Sequence, residues 1–245
     1  MNKIISMKDT CIRLLTPRET LDRTLFDEHN KMYPEIRKQL FEQADFVVKK
    51  TIAGIPGLKV HDICLNGSSA SYFYKDNSDI DVKIEVHNDG CNFLTKKDED
   101  LIRFMGYMKT ALLPNHKVRL NNRFVDLKLN SFQFEIMGLY SVLHDKWVIE
   151  PKKDIVSHLD ADELMEEYTK RYYIIKNHLN EITQSGEILT LKGIKNLEKY
   201  YTDIYLTGIS DVREFIIFKM LKYRGVLKDI QKIFVENLKK NLTIE

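Results

Sequence analysis

"SDIDVKIEV" (residues 78–86) alternates without a break, with Asp79, Asp81, Lys83 and Glu85 on one side and Ile80, Val82, Ile84 and Val86 on the other. A period of two is that of a half-buried strand, its apolar face toward a core and its polar face away. "LKVHDICLN" (58–66) predicts an earlier strand ending at Gly67. "KVRLNNRFVDLKLN" predicts a hairpin: Val118 to Leu120, a turn at Asn121-Asn122, then Arg123 to Leu129. In its second arm Phe124, Asp126 and Lys128 share one face, opposite Val125, Leu127 and Leu129.

Elsewhere the apolar positions recur at helical spacing. "PEIRKQLFEQADFVVKK" opens with Pro34, which suits a first helical turn, and "KKDEDLIRFMGYMKTALLP" runs to Pro114. Beyond "WVIEPKKD" the alternation stops. "DADELMEEYTKRYYIIKNHLNEI", "LKGIKNLEKYYTDIYLTG" and "SDVREFIIFKMLKYRGVLKDIQKIFVENLKK" all predict helix, with Ser210 as N-cap of the last and Gly225 ending or bending it. The pattern therefore divides the chain into an α/β (α+β) half with a small mixed sheet, residues 1–152, and an all-helical half, residues 153–245. The link at Pro151-Lys-Lys-Asp is short, so the halves are expected to pack together around a cleft.

Composition narrows the class. With 43% apolar and 30% charged residues the chain has the make-up of an ordinary globular protein. A formal net charge of +2 argues neither for nor against nucleic acid. No stretch approaches the ~18 consecutive apolar residues of a membrane span, and "MNKIISMKDTCIRLLTPRE" has no unbroken apolar run like that of a signal peptide. Cys11, Cys64 and Cys91 are sparse and without CxxC spacing, which predicts free thiols in a reducing cytoplasm, while the lack of an apolar span predicts no membrane partner. The histidines at 29, 61, 87, 116, 144, 158 and 178 form no HxxxH pair and read as structural or surface residues. GxxxxGK[ST] and GxSxG are both absent, which removes P-loop and serine hydrolase chemistry.

The acids change the picture. Asp79 and Asp81, two apart on a strand, point the same way with Cα atoms ~7 Å apart. An acid pair alone reads as solvated strand surface. If the hairpin lies beside that strand, Asp126 adds a third carboxylate to the same face. Such an all-oxygen set suits Mg²⁺ or Mn²⁺. Two ions about 3.5–4 Å apart can clamp the attacking and leaving oxygens of a phosphoryl displacement. Gly67 lets backbone approach a phosphate closely, and Ser68 and Ser69 bring hydroxyls and N–H groups to its oxygens.

"NGSS" (66–69), the ten residues that follow Gly67-Ser68, "DIDV" (79–82) and "VDL" (125–127) together resemble the signature of the polymerase-β-like nucleotidyltransferase superfamily. "LFDEHNKMYPEIRKQLFEQADFVV", "DICLNGSSASYFYKDNSDIDVKI", "GLYSVLHDKWVIEP" and "REFIIFKMLKYRG" look more narrowly like small predicted nucleotidyltransferases of tailed bacteriophages, which would put the chain in a host cytoplasm. Where those proteins usually carry Glu as the third acid, Asp126 stands here. The resemblance implies a nucleotidyltransferase core followed by a helical domain. Asp79 and Asp81 would ligate both metal ions, and Asp126 would ligate the catalytic one and help activate an acceptor hydroxyl. Gly67 and Ser68 would hold the triphosphate, and pyrophosphate would leave.

The remaining candidates each have a plainer reading. Tyr72, Phe73 and Tyr74 could stack on a base, though aromatics after a turn more often cover a core. Asp76 reads as a turn residue. Lys219, Lys222 and Arg224 share a helix whose face is ordinarily solvated; Lys219 is the one chosen for the triphosphate. Trp147 reads as packing between the halves. The acceptor is first expected to be an RNA 3′ end, because "LKGIKNLEKYY" and "KMLKYRGVLK" interleave cations with aromatics. Modification of a small molecule or a protein, and second-messenger synthesis, stay open within the same chemistry. A non-catalytic module that binds a nucleotide or a host factor is the contrasting class.

Overall fold

The structure is a computed structural model that describes residues 6–91, 98–114, 116–130, 137–184, 196, 203 and 211–242. By contacts the chain forms two compact units, Pro17–Lys153 and a second made of Met1–Thr16 with Asp154–Glu245.

The first unit is a mixed sheet with helices on its apolar face. Its strands are β1 (Leu58–Asn66), β2 (Ile80–Asn88), β3 (Val118–Leu120), β4 (Arg123–Asn130), β5 (Leu139–Ser141) and β6 (Lys146–Ile149), in the order β3-β4-β2-β1-β5-β6. All neighbours are antiparallel except β2 and β4, which run parallel. A parallel pair needs a crossover, and helix α3 (Asp98–Leu112) lies in that connection. Helix α2 (Pro34–Thr51) starts on its proline and buries Ile36, Leu40, Ala44 and Val47, a single stripe at helical spacing. With Leu101 and Met105 of α3 it covers Ile63, Leu65, Ile80, Val82, Ile84, Val125 and Leu127. The alternating apolar positions of the three central strands are thus one side of one core.

The hairpin turn forms at Asn121-Asn122, with φ of 49° and 64°. Those are the left-handed values that a two-residue turn of this kind demands and that asparagine tolerates. Strands β5 and β6 are additional to the predicted ones, being three and four residues long and too short for a period to emerge. Trp147, expected to pack between the halves, lies on β6 and packs within the first unit. Its indole stacks on Phe26 at 5.2 Å, meets Tyr140 edge-on and donates to the Asn30 carbonyl oxygen, all inside the first unit. Beside it the Tyr140 hydroxyl donates to Asp145, and burial pushes its pKa up to about 12.

The second unit is helical in its described residues. It contains α1 (Met7–Leu15), α4 (Ala161–Gln184), α5 (Val212–Arg224) and α6 (Val226–Leu242). Cys11 and Leu14 of α1 are buried with Leu164, Tyr168, Ile175 and Leu179 of α4 and Ile216, Ile217, Met220 and Leu221 of α5. The first helix therefore belongs with the helical unit, not with the 1–152 half in which the sequence pattern grouped it. Arg171 donates to Glu214 and Glu167 at 2.6 and 2.7 Å, tying α4 to α5. The cap of α5 is Asp211, whose carboxylate accepts from the N–H groups of Arg213 and Glu214; Ser210 lies outside the described residues. Gly225, at φ 86°, closes α5 in the left-handed conformation. The helix expected over 191–208 lies outside the described residues except at 196 and 203. No helix among the described residues is long and apolar enough to cross a membrane. The three cysteines are unpaired and buried.

Candidate functional site

Three segments meet where β1 ends. Asn66 and Gly67 leave the strand into a single 3₁₀ turn, Gly67–Ala70. In the sheet, Asn66 pairs with Asp81 on β2, and Asp81 pairs with Asp126 on β4. Paired residues on adjacent strands present side chains to the same face at a strand spacing of about 4.8 Å. Asp81 and Asp126 are therefore direct neighbours on the polar face.

Gly67 packs closely against Asp81 of this pair. Its φ is +66°, and a Cβ there would stand 3.2 Å from Oδ2 of Asp81. Glycine thus serves two needs at one position: the left-handed backbone of the turn and clearance for the carboxylate. Gly67→Ala is expected to cost about 1–2 kcal/mol of stability, read as a lower urea midpoint, because an L side chain is strained in this region.

Asp79 sits differently from its partner. β2 begins at Ile80, so Asp79 is the exposed last residue of the loop and not a strand neighbour of Asp81. The loop's carbonyl oxygens are occupied by side chains: Ser78 O accepts from Arg123 Nε at 2.7 Å and Asp79 O from the Ser69 hydroxyl at 2.8 Å. These bonds take groups that a strand ladder would otherwise use, and the strand starts one residue later.

Ser69 fastens the turn, its hydroxyl already engaged on both sides. It is fully buried, donates to Asp79 O and accepts from Arg123 Nη2 at 2.9 Å. Ser68 is half-buried, and its carbonyl oxygen accepts from the Ser71 hydroxyl and N–H. Arg123 escaped notice in the sequence. Besides Ser69 and Ser78 it pairs through Nη1 with Asp22, and both side chains are almost wholly buried. One guanidinium thereby pins the Gly67–Asp79 loop to β4 and to the segment before α2.

A cation does stand between the acids, and the chain supplies it. Lys128 Nζ lies 3.3 Å from Asp81 Oδ1 and 3.1 Å from Asp126 Oδ2. Lys128 is two residues beyond Asp126 on β4, so the alternation placed it on this face without assigning it a role. Lys109 of α3 adds its ammonium 3.8 Å from Asp126. Burial holds its pKa below the ordinary lysine value, with the nearby Lys128 charge acting the same way and Asp126 opposing. Asp79, Asp81 and Asp126 do not close as a set. Among the described residues, the only His, Cys, Asp or Glu trio whose ligand atoms all fall within 4.8 Å of one another is His61, Glu85 and His87.

The rest of the polar face departs from a solvated strand surface. Lys83 and Glu85 are each only 8% exposed. Asp62, across from Glu85, is buried and accepts from the Ser141 hydroxyl at 2.7 Å. Burial, reinforced by Asp62, pushes the Cys64 thiol well above its usual pKa. Tyr72 and Tyr74 carry cations over their rings, Lys153 at 5.2 Å and Arg18 at 4.6 Å, and Arg18 also pairs with Asp76. Lys219 is on α5 in the helical unit, its ammonium over the Phe215 ring at 5.0 Å. Lys222 and Arg224 on the same helix are exposed. Neither models of known protein families nor curated proteins match the chain.

Proposed function

We propose that the chain is a metal-dependent nucleotidyltransferase that moves a nucleoside monophosphate from a nucleoside triphosphate to an acceptor hydroxyl, with pyrophosphate leaving. The observation that carries this reading is the registration of Asp81 against Asp126, on parallel strands, beside a turn whose glycine makes room for the Asp81 carboxylate. The donor set is all carboxylate, which fits hard divalent ions such as Mg²⁺ or Mn²⁺. Asp81 and Asp126 would hold them, with Asp79 joining from the loop end. When bound, the ions supply charge neutralisation at the phosphates and Lewis acidity at the reacting oxygens.

The chain's own groups do the remaining work. N–H groups of the Gly67 turn and the Ser68 hydroxyl would take phosphate oxygens. Asp126 would accept the proton of the acceptor hydroxyl. Lys128 and Lys109 would offset phosphate charge. An RNA 3′ end is the first acceptor proposed, supported by the exposed Lys222, Tyr223 and Arg224 on α5. A small molecule, a protein or a second nucleotide would use the same chemistry.

The test supplies each α-labelled nucleoside triphosphate with Mg²⁺ or Mn²⁺, with and without bacterial RNA, to the wild type and to Asp79→Asn/Asp81→Asn. Label entering RNA, a small product or protein, and absent with the variant, supports the reading and names the acceptor class. Metal-independent nucleotide binding, unchanged in the variant and with no transfer, defeats it.

The Lys128 bridge favours a second reading, a non-catalytic nucleotide-binding module whose acids are neutralised from within. Lys128→Met separates the two. In an enzyme, removing the internal cation is expected to tighten Mn²⁺ binding, measured without nucleotide, roughly fivefold, the equivalent of one partly exposed ion pair. In the module, neither protein binds Mn²⁺.

A further inference from the structure

A second cluster stands toward the other end of β2, four to six residues and about 13–20 Å of strand from Asp81. Its components are His61 on β1 and Glu85 and His87 on β2. Strict alternation would put His61 opposite Val86, on the apolar face. A bulge prevents that: Val60 pairs with Val86 and Asp62 with Glu85, leaving His61 as the extra residue between them. A bulge re-aims a side chain, and here the His61 ring lies flat on the His87 ring, centroids 4.4 Å apart and planes within 8°. His87 Nε2 is 2.8 Å from Glu85 Oε1, a carboxylate whose side chain is only 10% exposed.

We propose that His61, Glu85 and His87 form a binding site for a divalent transition metal, zinc first, separate from the carboxylates of Asp81 and Asp126. Two imidazoles and one carboxylate are the donor mix of borderline cations and not of Mg²⁺. The ligand atoms already fall within 4.8 Å of one another. Zinc bonds of about 2.0–2.2 Å in a tetrahedral site set donors roughly 3.4 Å apart. The His87–Glu85 contact opens slightly to reach that separation, and His61, exposed at the bulge, turns its ring edge inward. In this state the metal takes the place of a hydrogen at His87 Nε2, and the neutral ring carries its one N–H on Nδ1. Asp62 is not a further ligand, because it is engaged with the Ser141 hydroxyl and the Ile63 N–H. The one remaining tetrahedral position falls to water, which the exposure of His61 admits.

The experiment titrates the full-length chain with Zn²⁺ by calorimetry, with Co²⁺ absorption as a spectroscopic readout, and repeats both on His61→Ala, His87→Gln and Asp81→Asn/Asp126→Asn. His87→Gln keeps a hydrogen-bonding side chain toward Glu85, and circular dichroism checks that each variant folds. The expected result is a single zinc ion per wild-type chain, binding weakened at least about tenfold in each histidine variant and unchanged in the acid variant. Zinc binding indifferent to both histidine changes, lost in the acid variant, or absent from the wild type overturns the proposal.

Discussion

Asp81→Asn is expected to reduce nucleotidyl transfer by at least about a hundredfold, the scale on which removing one preorganised electrostatic group acts, while the urea midpoint stays close to that of the wild type. The substitution is chosen for shape. Asparagine fills the volume of aspartate beside Gly67, whose missing Cβ leaves room for the planar group. It removes only the charge. Asp81 is 30% exposed and its ion pair with Lys128 is open to solvent on the lysine side, so the loss in stability is expected to stay below about 1 kcal/mol. Loss of activity without loss of stability separates a group that meets substrate and metal from one that holds the fold. Asp79→Asn supplies the internal comparison, because Asp79 is exposed at the end of its loop and pairs with neither acid across the sheet. An equal loss at Asp79 means that the loop delivers it to the same ions. Full transfer by Asp81→Asn means that the carboxylate pair is an internal ion-pair network and the chemistry lies elsewhere.

Local rules made much of this architecture legible. β1 spans Leu58–Asn66 as the pattern has it, because a buried run ends at Gly67, which takes a left-handed turn. Asn121-Asn122 and Pro34 mark their turn and helix start for equally local reasons. The pairing of Asp81 with Asp126 was legible too, since period two fixes which residues share a face and a parallel crossover explains how Asp126 arrives beside Asp81, whereas Asp79 falls in the loop before the strand. What escaped depends on groups distant along the chain. Nothing near Arg123 in sequence reveals that its partners are Asp22, Ser69 and Ser78. Ser69 looks like a phosphate-binding hydroxyl until that guanidinium and the Asp79 carbonyl occupy it. His61 and His87 are remote in sequence and on opposite faces by alternation, and only the bulge brings them together. Lys83 and Glu85 look solvated because alternation assigns a face and not its cover.

Arg123→Ala carries the largest expected effect on stability, about 3–5 kcal/mol, the usual cost of leaving one member of a buried ion pair without its partner. Burial sets this magnitude: the two side chains are 7% and 4% exposed, so Asp22 is poorly solvated once the guanidinium is gone. Three further groups lose their donor, namely Ser78 O, the Ser69 hydroxyl and Thr24 Oγ1. Lysine is a poor replacement, since a single ammonium lacks the planar fork that reaches Asp22, Ser69 and Ser78 at once. Urea unfolding of Arg123→Ala, Asp22→Asn and the double variant measures the coupling, and the double variant is expected to be more stable than the sum of the single losses implies. The same arginine fixes the loop that ends at Asp79, so Arg123→Ala assayed well below its unfolding midpoint is expected also to lose transfer activity. If the single variant costs less than about 1 kcal/mol, Arg123 does not anchor the loop, and the placement of Asp79 and of the Gly67 turn must come from the backbone alone.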